Sequence, residues 1–165
     1  MIELIVIDVD GTLTDGKIYY SSEGEEIKAF NIKDGLMIKS WNTLGKKSAI
    51  ITGRVSNMVE KRARELNITY IAQGIKDKAK KLEEICKREN IPLKNVAVIG
   101  DDLNDFSMMK VAARTFAPFD ANPYIYDYVS DPLTKKGGEG AVAEMIDILL
   151  KEENLYDKFL ELWVK

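Results

Sequence analysis

Residues Leu4 to Ile7 read Leu-Ile-Val-Ile, four large apolar side chains with no polar break, and the run ends directly on two acids one residue apart, Asp8 and Asp10, followed by Gly11. A strand with one wet face alternates apolar and polar residues. A strand that is apolar at every position needs cover on both faces, as strands in a parallel sheet have. Side chains two positions apart on a strand share a face, so Asp8 and Asp10 are expected side by side at its carboxyl end. Two carboxylates so placed repel, and one pKa rises unless a cation intervenes. The theme recurs at "NVAVIGDD", where an apolar run again ends in paired acids, Asp101 and Asp102.

The rest of the chain supplies a sheet of the same kind. "KSAIIT", "ITYIAQ" and "RTFAP" read as further strands, and "YVS" as a short last one. Between them the apolar spacing turns helical: Met37, Trp41 and Leu44 after Asp34, then Val59, Ala63 and Leu66, then Ala79, Leu82, Ile85 and Cys86. The last of these helices is expected over 76–90, stopped by Ile91-Pro92. A short helix is expected over 103–112, and another from Ala141 to Lys165 with at most a break near Asn154. Residues 17–32, "KIYYSSEGEEIKAFNI", alternate about a Ser-Ser-Glu-Gly turn and predict a β-hairpin. Repeated alternation of strand and helix predicts the α/β class, a doubly wound, Rossmann-like parallel sheet with helices on both faces. A chain of 165 residues suits one such domain, spanning 1–165. Ligands of these sheets bind beyond the carboxyl ends of the strands, where Asp8, Asp10, Thr52, Asp101 and Asp102 all fall.

Composition narrows the chemistry. Histidine is absent, which removes Ser-His-Asp triads, phosphohistidine enzymes and His-ligated zinc. The lone Cys86 forms no intramolecular disulfide and no thiolate cluster, and it falls on the apolar face of its helix. A net charge of -3 argues against a nucleic-acid or acidic-membrane partner, and no apolar run approaches a membrane span. Cytoplasm is the expected compartment.

Five aspartates, Asp8, Asp10, Asp101, Asp102 and Asp105, converging on one crevice call for a cation. Oxygen ligands without histidine favour Mg²⁺, which prefers one or two carboxylates, waters and substrate phosphate. Arg54 and Lys78 supply the positive charge that a phosphoryl group requires, and Thr52 adds a hydroxyl donor. Asp8, a carboxylate already ionised at neutral pH, is the candidate nucleophile. Asp10, beside a second negative charge, is the candidate general acid and base with a raised pKa. Gly11 permits a tight turn after the pair, and Thr12 is the candidate to fix it by hydrogen bonding.

"DVDGT", "ITGR" (with Thr52, Gly53 and Arg54), Lys78 and "GDDLND" occur in the order and spacing of the haloacid-dehalogenase-like phosphatase superfamily, which the chain resembles. The resemblance implies Asp8 as the phosphorylated residue and Asp10 as general acid/base. It also implies Mg²⁺ held by Asp8, the Asp10 backbone carbonyl and Asp101, with Thr52 and Lys78 on the phosphate. A narrower likeness, in "DGKIYYSSEGEEIKAFNIKDGLMI" and "GGEGAVAE", is to the small phosphatases without a large cap domain that act on 3-deoxy-D-manno-octulosonate 8-phosphate for lipopolysaccharide precursors. A related group acts on sialic-acid (N-acylneuraminate) 9-phosphates. The likeness implies a homotetramer in which the hairpins associate and a neighbour shields each site. It further implies substrate contacts from Asn31, Ile32, Lys33, Asp34, Gly35, Lys39, Arg54, Arg62 and Lys78. The chain departs from that group at Met37, where relatives often have glycine, and at Ala143, where they often have arginine.

Plainer readings stand beside these. Lys78 lies in "KDKAKK" and Arg62 in "EKRARE", runs that otherwise read as solvated helix faces. Asp105 reads as a structural partner of Lys78 rather than a metal ligand. The competing functions are a general small sugar-phosphate phosphatase and a receiver-type domain phosphorylated on aspartate without turnover. Asp10, placed to activate water, favours turnover.

Overall fold

The computed structural model describes residues 1–164. Six strands form one sheet: β1 (Leu4–Ile7), β4 (Lys47–Ile51), β5 (Tyr70–Ala72), β6 (Val96–Ile99), β7 (Arg114–Ala117) and β8 (Asp131–Pro132). They lie in the order β5-β4-β1-β6-β7-β8, and every pairing is parallel. Two further short strands, β2 (Tyr19–Tyr20) and β3 (Glu26–Ile27), form the expected hairpin. It pairs only two residues per strand, far fewer than the alternating pattern over 17–32 implied. The last sheet strand lies just beyond the expected "YVS", because Pro123–Tyr128 winds into 3₁₀ turns that carry the chain across first.

β1 is central, and its four residues are buried on both sides as their composition requires. Ile5 and Ile7 face a core with Trp41, Ile38, Met145 and Leu149. Those residues come from α1 (Ile32–Thr43) and α5 (Ala141–Glu152). Leu4 and Val6 face a second core with Leu82, Ile85, Cys86 and Met108 from α3 (Lys78–Glu89) and α4 (Phe106–Val111). Each fully buried Ile or Leu contributes about 1.5–3 kcal/mol by leaving water.

Helix limits follow local chemistry. Asn31 caps α1, accepting from the Lys33 N–H, and Ser56 caps α2 (Asn57–Glu65) in the same way. Asp77 caps α3, which ends at left-handed Asn90 before Pro92. The helix expected over 103–112 divides into a 3₁₀ turn, Leu103–Asp105, and α4, because Asp102 and Asp105 form a reciprocal cap there. The final helix breaks at Asn154 (φ 57°), as expected, and resumes as α6 (Tyr156–Glu161). It ends at Glu161 rather than running on; the expected terminus, Lys165, lies outside the described residues. Trp163 turns back so that its indole N–H donates to Ser40 Oγ at 3.3 Å. No helix among the described residues is long and apolar enough to cross a membrane.

Candidate active site

The strand order changes direction at β1, between β4 and β6, and a crevice forms beyond the carboxyl ends of these three strands. Asp8 lies one residue past β1, its N–H still bonded to the Ile99 carbonyl at 3.1 Å. Thr52 follows β4, and Gly100-Asp101 follow β6. The resulting cleft, about 230 Å³, is lined by Asp8, Asp10, Thr52, Gly53, Arg54, Asp101 and Asp102, together with Gly16 and Asn104. Sequence reasoning did not single out Asn104, although it lies inside the quoted "GDDLND".

β1 stops before the aspartates, and Val9–Leu13 coil into a wide turn. Gly11 sits there at φ 90°, and a Cβ on it would lie 1.9 Å from Asp101 Oδ2. Only glycine suits that backbone and that approach. Thr14, not Thr12, holds the turn: its Oγ1 accepts from the Gly11 and Gly16 N–H groups, each at 3.2 Å. Thr12 instead donates to Asp101 Oδ1 at 3.2 Å, tying the first acidic segment to the second.

The coil also separates the environments of Asp8 and Asp10. Asp8 is buried, and its close acidic neighbours are Asp101 and Asp105, with a carboxylate oxygen from each of the three lying within 4.8 Å of the others. Asp10 instead meets Lys28, whose Nζ lies 2.5 Å from its Oδ1. The like-charge crowding expected on Asp10 therefore falls on Asp8 and Asp101. Burial is the main reason that Asp8 is held well above the ordinary carboxylate range; Asp105 adds to the rise, and Lys78 only partly reverses it. Asp101 is pushed up by burial and by Asp8 and Asp105. Asp8 thus sits in a setting unlike that of a free carboxylate, because desolvation penalises its charge. An all-oxygen carboxylate set of this kind fits a hard divalent cation such as Mg²⁺.

Lys78, the first residue of α3, is 1% exposed, so the solvated-face reading of its charge run does not hold. Its Nζ donates to Asp8 Oδ1 at 2.7 Å and to Asp105 Oδ1 at 2.6 Å. Both carboxylates raise its pKa, outweighing the downward pull of burial. Asp105 spends its other oxygen on the N–H groups of Asp101 (2.9 Å) and Asp102 (3.2 Å). It thus has the geometry of a bracket under the acidic loop. Asp102 accepts from Leu103 N–H at 2.7 Å and from Asn122 at 3.0 Å.

The remaining candidates, Arg54 apart, lie outside this cleft. Asn31 is spent on capping α1, Ile32 is 80% exposed, and Lys39 is exposed. Lys33 borders a different cavity, about 510 Å³, together with Met37, Ala143, Tyr156 and Phe159. Asp34 is buried, and its Oδ1 accepts from the Ala143 N–H at 2.8 Å near the start of α5. Gly35 packs against Arg62, whose Nη1 meets Glu65 at 3.4 Å. Arg54, at the cleft, pairs with Glu26 of the hairpin at 3.0 Å. Neither Lys28 nor Glu26 was singled out from sequence. The i, i+2 spacing in "EIK" was the available signal.

Three carboxylates drawn within 4.8 Å of one another, a lysine buried between two of them, and a further aspartate two residues after the first, all at a parallel-sheet switch point, make an arrangement suited to phosphoryl transfer. The chain belongs to the haloacid dehalogenase-like hydrolases, whose family model matches residues 71–146, and it is a phosphatase. Its relatives are narrower than that class. It is 39% identical over 157 residues to the 3-deoxy-D-manno-octulosonate 8-phosphate phosphatase of Escherichia coli K12, covering 95% of this chain and 84% of the relative. A crystal structure of the Moraxella catarrhalis phosphatase of that name, in complex with magnesium ion, phosphate ion and KDO, matches with TM-score 0.94 and 41% identity. That match covers 98% of this chain and 93% of the other. The cobalt-bound Haemophilus influenzae enzyme matches with TM-score 0.89 and 33% identity, covering 93% and 90%.

Proposed function

We propose that this phosphatase hydrolyses 3-deoxy-D-manno-octulosonate 8-phosphate, through an aspartyl phosphate on Asp8. The observation that carries the reading is the cleft itself. Asp8, Asp10, Thr52, Arg54 and Asp101 line one pocket with Lys78 buried against Asp8, in a chain similar over nearly its whole length to enzymes named for that substrate.

The residues divide the work as follows. Asp8 attacks phosphorus through its carboxylate oxygen. Lys78, Thr52 and Arg54 take charge and hydrogen bonds from the phosphoryl oxygens, holding the group in line. Asp10 gives a proton to the departing sugar oxygen, then takes one from the water that cleaves the aspartyl phosphate. Mg²⁺, held by Asp8, Asp101 and the Asp10 carbonyl, supplies charge neutralisation between nucleophile and phosphate. Gly11, Thr12, Asp102 and Asp105 support these groups from behind.

The sugar-acid contacts assigned to Asn31–Gly35, Lys39 and Arg62 lie away from the cleft of their own chain. A homotetramer, in which a neighbour closes each site, accounts for that separation. The exposed apolar hairpin residues Ile18, Tyr20 and Ile27 offer the surface for it. A cytoplasmic setting follows from the same assignment. The test is phosphate release from a panel of sugar-acid and simple sugar phosphates, with Mg²⁺ or EDTA, for the natural protein and Asp8→Asn. Metal-dependent turnover strongest on the eight-carbon sugar acid and lost in the variant is expected. Equal turnover of all sugar phosphates would remove the substrate assignment and leave the chemistry.

A further inference from the structure

Glu26 belongs to β3 and Lys28 follows it, and alternate residues of an extended chain point the same way. Ile27, between them, is 49% exposed. The Lys28 side chain is only 4% exposed, although it leaves a two-stranded ribbon at the surface. A lysine there reaches water by simple rotation of its long stem. This one instead ends 2.5 Å from Asp10 Oδ1 and 3.1 Å from Glu26 Oε1. Glu26 in turn accepts from Arg54 Nη2 at 3.0 Å. Charges of alternating sign, Asp10, Lys28, Glu26 and Arg54, thus cross the mouth of the cleft. Burial pulls the Lys28 ammonium down, and its two carboxylate partners more than offset this.

Lys28 is the only hydrogen-bond partner of the Asp10 carboxyl among the described residues. A general acid delivers its proton only when its oxygen is held within hydrogen-bond reach of the leaving group. We propose that Lys28 is a positioning residue for the reaction: by donating to Asp10 Oδ1 it fixes the carboxyl with Oδ2 left to carry the proton that passes to the leaving oxygen, and Glu26 couples that contact to Arg54. The hairpin is then part of the active site as well as a surface for association. This inference rests on the reading of Asp10 as general acid and base, but not on which sugar phosphate is the substrate.

The experiment compares leaving groups. p-Nitrophenolate departs from phosphorus without a proton, whereas a sugar alkoxide needs one. Single-turnover release of each leaving group is measured for the natural protein, Lys28→Met and Lys28→Arg, with p-nitrophenyl phosphate and a sugar phosphate that the natural protein hydrolyses. Lys28→Met is expected to slow sugar release about 10- to 100-fold and p-nitrophenolate release less than about threefold, a fraction of what a general acid contributes. Lys28→Arg should restore most of the loss. In an Asp10→Asn background Lys28→Met should cost nothing further. Equal slowing of both leaving groups, or none, overturns the proposal. Thermal unfolding checks the fold. If Lys28→Met does not fold, Glu26→Ala, which removes the carboxylate between Lys28 and Arg54 while leaving both cations, must show the same leaving-group contrast in weaker form. Failure to turn over the eight-carbon sugar acid would remove the substrate assignment alone, because the contrast is then read on another sugar phosphate.

Discussion

Asp34→Asn should change how the stability of this protein depends on pH, by an amount the structure sets. Asp34 is 1% exposed. One oxygen accepts from the Ala143 N–H, and the other is buried without a partner among the described residues. Burial raises its pKa from 3.8 to about 6, against smaller downward pulls from the Ala143, Gly140 and Val142 N–H groups and from Arg62. At about 1.4 kcal/mol per pH unit, that difference is about 3 kcal/mol. The folded chain binds this proton more tightly than the unfolded chain, so ionising Asp34 costs stability. The cost is absent below the unfolded value, grows as pH rises through the folded one, and is complete above it. Asparagine keeps the acceptor for Ala143 and nearly the same volume, and carries no charge. Relative to the natural protein, the variant should therefore gain about 3 kcal/mol between about pH 4 and pH 7. At roughly 2–4 °C per kcal/mol for a chain of this size, the difference in melting temperature should shift by about 6–12 °C. Thermal unfolding of both proteins at matched ionic strength, without divalent metal, reads this directly, because the other acids cancel in the comparison. A difference that stays flat across the range would refute the burial argument. One that grows in the opposite direction would show that Arg62 holds Asp34 ionised.

Lys78→Met, close in volume, leaves the buried carboxylates of Asp8 and Asp105 without their cation. It should cost about 3–5 kcal/mol in denaturant unfolding and abolish turnover; an unchanged unfolding midpoint would contradict the ion-pair reading. Mg²⁺ at about one hundred times its dissociation constant should stabilise the natural protein by about 2.7 kcal/mol, and Asp101→Asn should remove most of that shift in calorimetry. Gly11→Ala puts a methyl group 1.9 Å from Asp101 Oδ2 at a positive φ. Turnover should fall at least about tenfold while the helical circular dichroism signal persists, since the strain is confined to the acidic turn. Full activity in Gly11→Ala would mean that the turn relaxes freely.

Much of the fold was legible because the signals were local and redundant. β1 and β6 declared two-sided burial by lacking any polar residue, and the aspartates after them marked the functional edge. Helices announced themselves by apolar spacing and stop signals, as with Leu82, Ile85 and Cys86 on α3 and Pro92 beyond its end, whereas the cap at Asp77, inside the helix expected over 76–90, became visible only in the fold. The site's core chemistry was legible for the same reason, since its acids and Thr52 directly follow strands. The relation between Asp8 and Asp10 was not, because a strand pattern assigns the same face to both, whereas the chain coils after Ile7. Lys78 and Asp34 illustrate a second limit. Each sits in a stretch of ordinary surface composition, and only tertiary packing decides that the lysine is buried under Asp8 and that the aspartate faces α5. Lys28 is the same case from the hairpin side: its partner lies 18 positions away in the chain, beyond any local periodicity.

The central place of β1 has a consequence for how the protein is made. β1 leaves the ribosome before either of its neighbours, since β4 and β6 begin only at Lys47 and Val96. At roughly 5–20 residues per second, β1 waits on the order of five to twenty seconds for its second partner. During that time two apolar faces and an open backbone edge are available to any other nascent chain. The acids that follow the strand are useful then as well as later: Asp8 and Asp10, charged and solvated before the cleft exists, flank the run with negative charge and oppose stacking of one unfinished chain on another.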